Sequence, residues 1–162
     1  MSAQPPTVFP SGFFRRTDES PDNFFYGPDR LVTHIDDRAI TAVGALYAEL
    51  AINGRVLDLM SSWVSHFVEP PTELVALGMN AYELQHNTAA TATVVHDLNA
   101  DPVLPFEDAR FDAVTCCVSV DYLTRPVEVF ADVHRVLVPG GLFVCTFSKQ
   151  YCSYENLSLI HI

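Results

Sequence analysis

The sequence predicts an α/β fold, a mostly parallel sheet with helices on both faces. Three observations carry this expectation. Short apolar runs alternate with helix-length amphipathic stretches, and each crossover is about a dozen residues long, as parallel connections require. One run, "DAVTCCVSV" (112–120), is apolar on both faces, as a central parallel strand should be. The 162 residues are 49% hydrophobic and 18% charged, which suits one domain with a real core and excludes a disordered chain.

The elements follow in order. Residues 1–30 are rich in Pro, Phe, Asp and Gly, show no periodicity, and read as an extended arm. Its aromatics (Phe13, Phe14, Phe24, Phe25, Tyr26) are too many for a solvated tail, so some are expected to pack on the domain or cover a ligand. The domain proper is expected to span 31–148. It opens with a helix: Thr33, Asp36 and Asp37 offer capping oxygens and first-turn negative charge. Ile40, Val43, Leu46, Tyr47 and Leu50 recur at three- and four-residue spacing as one apolar face, and Asn53-Gly54 is the predicted stop. "VLDLM" (56–60) is too short for a helix and reads as a strand. Residues 61–67 are expected as a short helix, broken by Glu69-Pro70-Pro71. "ELVALGM" (73–79) is the second strand, Asn80 the N-cap of the next helix, and "TVVHD" (93–97) the third strand. A turn-rich loop leads to the fourth strand at 112–120. The clearest helix is 126–137, with Thr124 as its cap, Pro126 in its first turn, and a buried stripe of Val129, Phe130, Val133, Val136 and Leu137. "VPGG" (138–141) turns the chain into a fifth strand, "LFVCTF" (142–147).

In an open parallel sheet the ligand lies at the carboxyl ends of the strands. Those ends carry Asp58, Met60, Ser61 and Ser62 (first strand), Gly78 and Asn80 (second), Asp97 and Leu98 (third), and Cys117, Val118 and Ser119 (fourth), and polar residues recur where each apolar strand stops. Asp58 either orients the loop that follows it or takes a ligand ammonium group. Asn80 reaches ribose hydroxyls, caps a helix, or does both. Asp97 either accepts from an adenine amine or forms a turn with Asn99. The loop "MSSW" (60–63) has no glycine, so it lacks the close backbone approach that a pyrophosphate needs and argues against NAD or FAD. Two serines at a helix entry suit a small carboxylate instead. Trp63 reads as a packing residue. The six histidines have no metal spacing, and only His34, beside a helix start, is a candidate for the active centre. No catalytic residue and no metal site are assigned.

The net charge of −11 repels phosphate backbones and anionic bilayers, so the expected partner is a small molecule, with neither nucleic acid nor membrane. Cys116, Cys117, Cys145 and Cys152 show no C-x-x-C spacing and read as buried thiols in a reducing compartment, the cytoplasm. Arg15 and Arg16, with no acid before Asp18, leave an organellar stroma or matrix open. The oligomeric state is not legible.

The segments "VLDLMSSW", "VALGMN", "VVHDLNADPVLPFEDARFDAVTCCVSVDYLTRP" and "VFADVHRVLVPGGLFV" together resemble the class I S-adenosylmethionine-dependent methyltransferases of the type 11 group, over 56–147. The arm and first helix resemble a subgroup that shares the "DLMSSW" variant. The resemblance implies a Rossmann-like sheet and methyl transfer from S-adenosylmethionine to a small-molecule acceptor. It implies Asp58 near the amino-acid end of the cofactor, Asn80 at the ribose, Asp97 and Leu98 around adenine, and Cys117 and Val118 beside the transferable methyl. The chain departs from the family pattern in its missing first-motif glycines and in Asn80, where an acid is usual. A non-catalytic, methyltransferase-like binding module is the alternative. The family fold has two strands after the fifth, whereas fifteen residues follow Phe147 here, and the closing "LSLIHI" reads as adapter read-through. The expectation is therefore a truncated sheet with an irregular tail at 149–162 and an exposed, aggregation-prone fifth strand.

Overall fold

The computed structural model describes residues 9–16, 19–148 and 157–161. It contains β1 (Arg55–Leu59), β2 (Glu73–Gly78), β3 (Ala92–Val95), β4 (Phe111–Cys117), β5 (Leu137–Ser148) and β6 (Leu157–His161). Its α-helices are α1 (Asp22–Tyr26), α2 (Asp37–Glu49), α3 (Ala81–Gln85) and α4 (Pro126–Val136). The strands form one sheet in the order β3-β2-β1-β4-β5-β6, parallel from β3 to β5. The order reverses at β1, and that switch point is where such sheets hold ligands.

Alternation along each strand splits the core into two layers. Val56, Leu74, Ala113 and Val144 face one side and pack with Val43 and Tyr47 of α2. Leu57, Val75, Val114 and Phe143 face the other and pack with Val129, Val133 and Val136 of α4. Both strand faces are thus covered, which explains the continuous apolar runs. The neighbours Cys116 and Cys117 divide between these layers, and Cys116, Cys117 and Cys145 are free thiols. Cys152 lies outside the described residues.

The loop before β4 and helix α4 are joined by one side chain. Arg135 donates to the carbonyls of Phe106 and Leu104 and to Asp108 and Asp132, while Asp132 accepts from the Leu104 amide. The "LPFED" and "HRVL" segments therefore meet in space, far apart as they are in sequence.

Several local expectations are corrected. Residues 61–67 form no helix: Asn87 Nδ2 bonds the Ser62 carbonyl (3.0 Å) and Ser65 Oγ (2.9 Å), and the segment is held by side chains instead of by its own turns. Helix α2 stops at Glu49, with Ala51 left-handed, so it ends before Asn53-Gly54. Thr124 does not cap α4, because its amide and hydroxyl both donate to Asn99 Oδ1. "VPGG" is a bulge inside β5, since Leu137 already pairs with Phe111 and Leu142 with Ala113. Strand β4 ends at Cys117, where Val118 turns left-handed (φ 49°) into a 3-10 turn at Val120–Tyr122. The arm carries the short helix α1.

The tail is also corrected in part. Residues 157–161 form β6, antiparallel to β5 over Val144–Ser148. The free backbone groups of the β5 edge offer a pairing template, and the apolar "LSLI" stretch takes it. The expected bare edge is therefore covered along that stretch; residues 149–156 lie outside the described residues.

Candidate functional site

The carboxyl ends of β1, β2, β3 and β4 enclose a cavity of about 170 Å³. Asp58, Met60, Ser61, Ser62, Gly78, Asn80, Asp97, Leu98, Cys117 and Val118 all line it, and so does His34. The arm adds Phe25, Tyr26 and Arg30 to its lining, and Val32 follows just after it.

Asp58 is the hub of the β1 end. It is 5% exposed and accepts from Ser61 Oγ (2.6 Å), Ser65 Oγ (2.5 Å) and Thr115 Oγ1 (2.8 Å). Burial raises its pKa, and the three hydroxyl bonds oppose that shift. Thr115 stands beside Asp58 in the β1–β4 register. Thr115 and Ser65 went unnoticed in the sequence; the lone polar Thr115 within the apolar "AVTCC" run was the signal for the first.

The glycine that the β1 loop lacks is found on the neighbouring strand. Ser61 donates its amide to the Leu77 carbonyl (2.7 Å), so the loop lies against β2. A Cβ on Gly78 would fall deep inside contact distance of the Ser61 carbonyl oxygen. Close approach is thus made possible from the β2 side, while Met60 takes a left-handed conformation (φ 55°) without being glycine.

The serine hydroxyls do not sit at a helix entry as expected. Ser61 serves Asp58, and Ser62 donates to Glu83 Oε2 (2.5 Å). Asn80 caps α3 by accepting from the Glu83 amide (3.0 Å). Its amide nitrogen turns to the arm, donating to the carbonyls of Tyr26 (3.0 Å) and Gly27 (3.3 Å) and to Asp29 Oδ1 (3.1 Å). Three further bonds fasten the arm: Trp63 Nε1 to the Val32 carbonyl (2.8 Å), the Arg30 amide to Glu83 Oε1 (2.8 Å), and Asn99 Nδ2 to Asp22 Oδ2 (2.7 Å). These arm contacts span 31 to 77 residues of sequence and leave no local signal. Asp97 makes the turn, its Oδ1 accepting from the amides of Asn99 (2.9 Å) and Ala100 (3.2 Å). Burial lowers the pKa of His66, which also lines the cavity, despite the nearby Asp58. Among the described residues no cluster suits a metal ion, and no helix is long and apolar enough to cross a membrane.

These contacts predict the effect of Asn80→Asp. A carboxylate would still cap α3, but it would face two carbonyls and Asp29 where the amide now donates. Three bonds are lost, at about 0.5–1.5 kcal/mol each. Hydrogen exchange of the amides of Tyr26, Gly27, Asp29 and Arg30 should rise while that of β1 and β4 stays unchanged. Unaltered exchange in the arm would show that Asn80 does not hold it.

Comparison with known proteins places this geometry. Residues 61–145, slightly more than half of the chain, match the family model described as "Methyltransferase domain". The rat mitochondrial 2-methoxy-6-polyprenyl-1,4-benzoquinol methylase is 34% identical over 78 residues, 48% of this chain and 23% of that protein. The demethylmenaquinone methyltransferase of Lactiplantibacillus plantarum is 30% identical over 116 residues, 62% of this chain and 48% of that protein. The chain thus spans less than half the length of either. Among solved structures, an S-adenosylmethionine-dependent methyltransferase from Mesorhizobium loti superposes with a TM-score of 0.53 at 24% identity, over 64% of this chain and 51% of that one. The [4+2]-cyclase SpnF superposes with 0.54 at 19%, over 65% and 44%. With its parallel sheet, its reversal at β1 and its four convergent strand ends, the chain belongs to the methyltransferase-domain family of the type 11 group.

Proposed function

We propose that the protein binds S-adenosylmethionine at the carboxyl ends of β1–β4 and directs its methyl group to a small-molecule acceptor. The convergence of four strand ends on one cavity, in a chain of this family, is the observation that supports this most. The lining suits the cofactor in kind. It offers the acid Asp97 and apolar Leu98 for the adenine, Asn80 and Glu83 for the ribose, the Asp58 loop for the amino-acid end, and Cys117 and Val118 for the sulfonium side. When bound, the cofactor supplies an electrophilic methyl group with a good leaving group. The chain's own share is then positioning: orientation contributes about 7–11 kcal/mol in well-aligned reactions. The arm, with Tyr26, forms part of the cavity's lining. No general base is assigned, and none is required. The activities named for the two relatives support a quinol-like ring as the acceptor. The charge of −11 favours such a partner over nucleic acid or an anionic membrane, and the free thiols suit a reducing compartment such as the cytoplasm or an organelle matrix.

A thermal melt with S-adenosylhomocysteine tests this. A ligand that binds only the folded state adds about 2.7 kcal/mol at a hundred times its dissociation constant. An upward shift of the melt is expected; an unmoved cooperative melt would sink the proposal. A second reading, a binding module without catalysis, draws on the way Asn80, Ser61 and Ser62 spend their polar atoms on the protein itself. A cooperative melt that S-adenosylhomocysteine leaves unmoved would favour that reading.

A further inference from the structure

Beside the first cavity lies a larger one, of about 1070 Å³, that the proposed reaction does not use. Small-molecule sites commonly measure about 300–1,000 Å³, so this annex has room for a sizeable ligand. Its walls include Phe9, Phe13, Phe14, Phe24, Val127 and Phe130. The first three form a mutual cluster with ring centroids 4.8–5.1 Å apart. Phe13 is 61% exposed, Phe24 74% and Val127 45%, so the wall includes exposed apolar surface among the described residues. The two arginines of the wall are each paired with an acid, Arg16 with Asp22 and Arg15 with Glu19.

The two cavities adjoin. Both are lined by Asp22, Phe25, Tyr26, Tyr122 and Leu123. Tyr26 and Tyr122 meet edge to face, 6.2 Å apart, where the two spaces join. The chain leaving β4 serves both sides: Cys117, Val118 and Ser119 line the inner cavity, and Val120 and Asp121 line the annex. A ring held at the β4 end would therefore have its substituent directed past the tyrosine pair.

We propose that the annex binds the apolar chain of the methyl acceptor, an alkyl or isoprenoid tail, while the acceptor's head lies at the β4 end. This rests on the methyltransferase reading above. The wall is a concavity continuous with the reaction site, which suits a tail better than a flat lipid surface would. The protein's negative charge also opposes anionic bilayers. Aromatic and aliphatic walls favour each added methylene by removing it from water, so affinity should rise with chain length.

Binding of farnesol to the whole chain, read by titration calorimetry, tests the proposal, with S-adenosylhomocysteine titrated in parallel. Val127→Glu and Phe13→Ser alter exposed positions outside the cofactor cavity, so neither threatens folding. Farnesol should bind saturably, more tightly than the shorter prenol. Each variant should weaken it, Val127→Glu by about tenfold or more because a charge would enter an apolar site. The affinity for S-adenosylhomocysteine should stay the same in both. If wild type binds S-adenosylhomocysteine but not farnesol, or if the variants bind farnesol like wild type, the annex proposal falls and the cofactor reading stands. Farnesol binding without any S-adenosylhomocysteine binding would overturn the tail's role together with the reaction it serves. Binding to phosphatidylcholine vesicles but not to dispersed farnesol would overturn it in favour of a lipid surface.

Discussion

Asp58→Ala is expected to cost on the order of 3 kcal/mol of stability and to abolish the melt shift given by S-adenosylhomocysteine. The carboxylate is the shared acceptor for Ser61, Ser65 and Thr115. Removing it leaves the buried Thr115 hydroxyl without this acceptor, at about 1–3 kcal/mol, while Ser65, also buried, loses its acceptor but keeps its bond from Asn87. Relief of the carboxylate's own burial offsets part of this. Urea denaturation measures the difference, and a loss below about 1 kcal/mol would refute the hub role. The pH dependence has a definite sign. Burial raises the Asp58 pKa above its ordinary value. A raised native pKa means that the folded state holds the proton more tightly, so this group's contribution is full below the unfolded value and declines as pH rises through the native one. The cost of Asp58→Ala should therefore be larger near about pH 4 than at neutral pH. A cost that grows with pH instead would mean that the hydroxyl bonds outweigh burial.

Gly78→Ala should be nearly as severe, at about 2–3 kcal/mol, with the same loss of ligand response. The atom in the way is the Ser61 carbonyl oxygen, a backbone atom that cannot rotate aside. Relief would require the loop to leave β2 and break the bond from the Ser61 amide to Leu77. Gly140→Ala is the matched control. Nothing lies within 4 Å of its added carbon, and only its left-handed backbone (φ 81°) resists substitution. It should lose about 1 kcal/mol and leave ligand binding intact. Equal losses at the two positions would show that close packing against Ser61 does not matter.

The parallel sheet was legible because its strands are short, apolar on both faces and separated by helix-length crossovers, and the two-layer alternation of Val56–Leu57 and Cys116–Cys117 follows directly. The strand ends were legible for the same reason, and the structure brings all the residues singled out there to one cavity. What the sequence hid was how those residues spend their hydrogen bonds. "SSWVSHF" favours a helix by local criteria, yet its serines answer to Asp58, Glu83 and Asn87. Thr124 is a good cap by position, but Asn99, 25 residues away, claims it. In both places partners 21 to 25 residues away, Glu83, Asn87 and Asn99, help to outcompete local propensity, and nothing in a short window reports them.

The fastening of the arm bears on affinity without involving any ligand contact. Asn80, Trp63, Glu83 and Asn99 each hold it from a different segment, and the space beneath it is smaller than that of common small-molecule sites. A ligand too large for that space binds only molecules whose arm is raised, so the observed dissociation constant is the intrinsic one divided by the raised fraction. A raised population of about 1% would weaken binding about a hundredfold with every contact unchanged. For such a ligand, substitutions at these four rim residues would change affinity through how often the site is open, with every ligand contact kept.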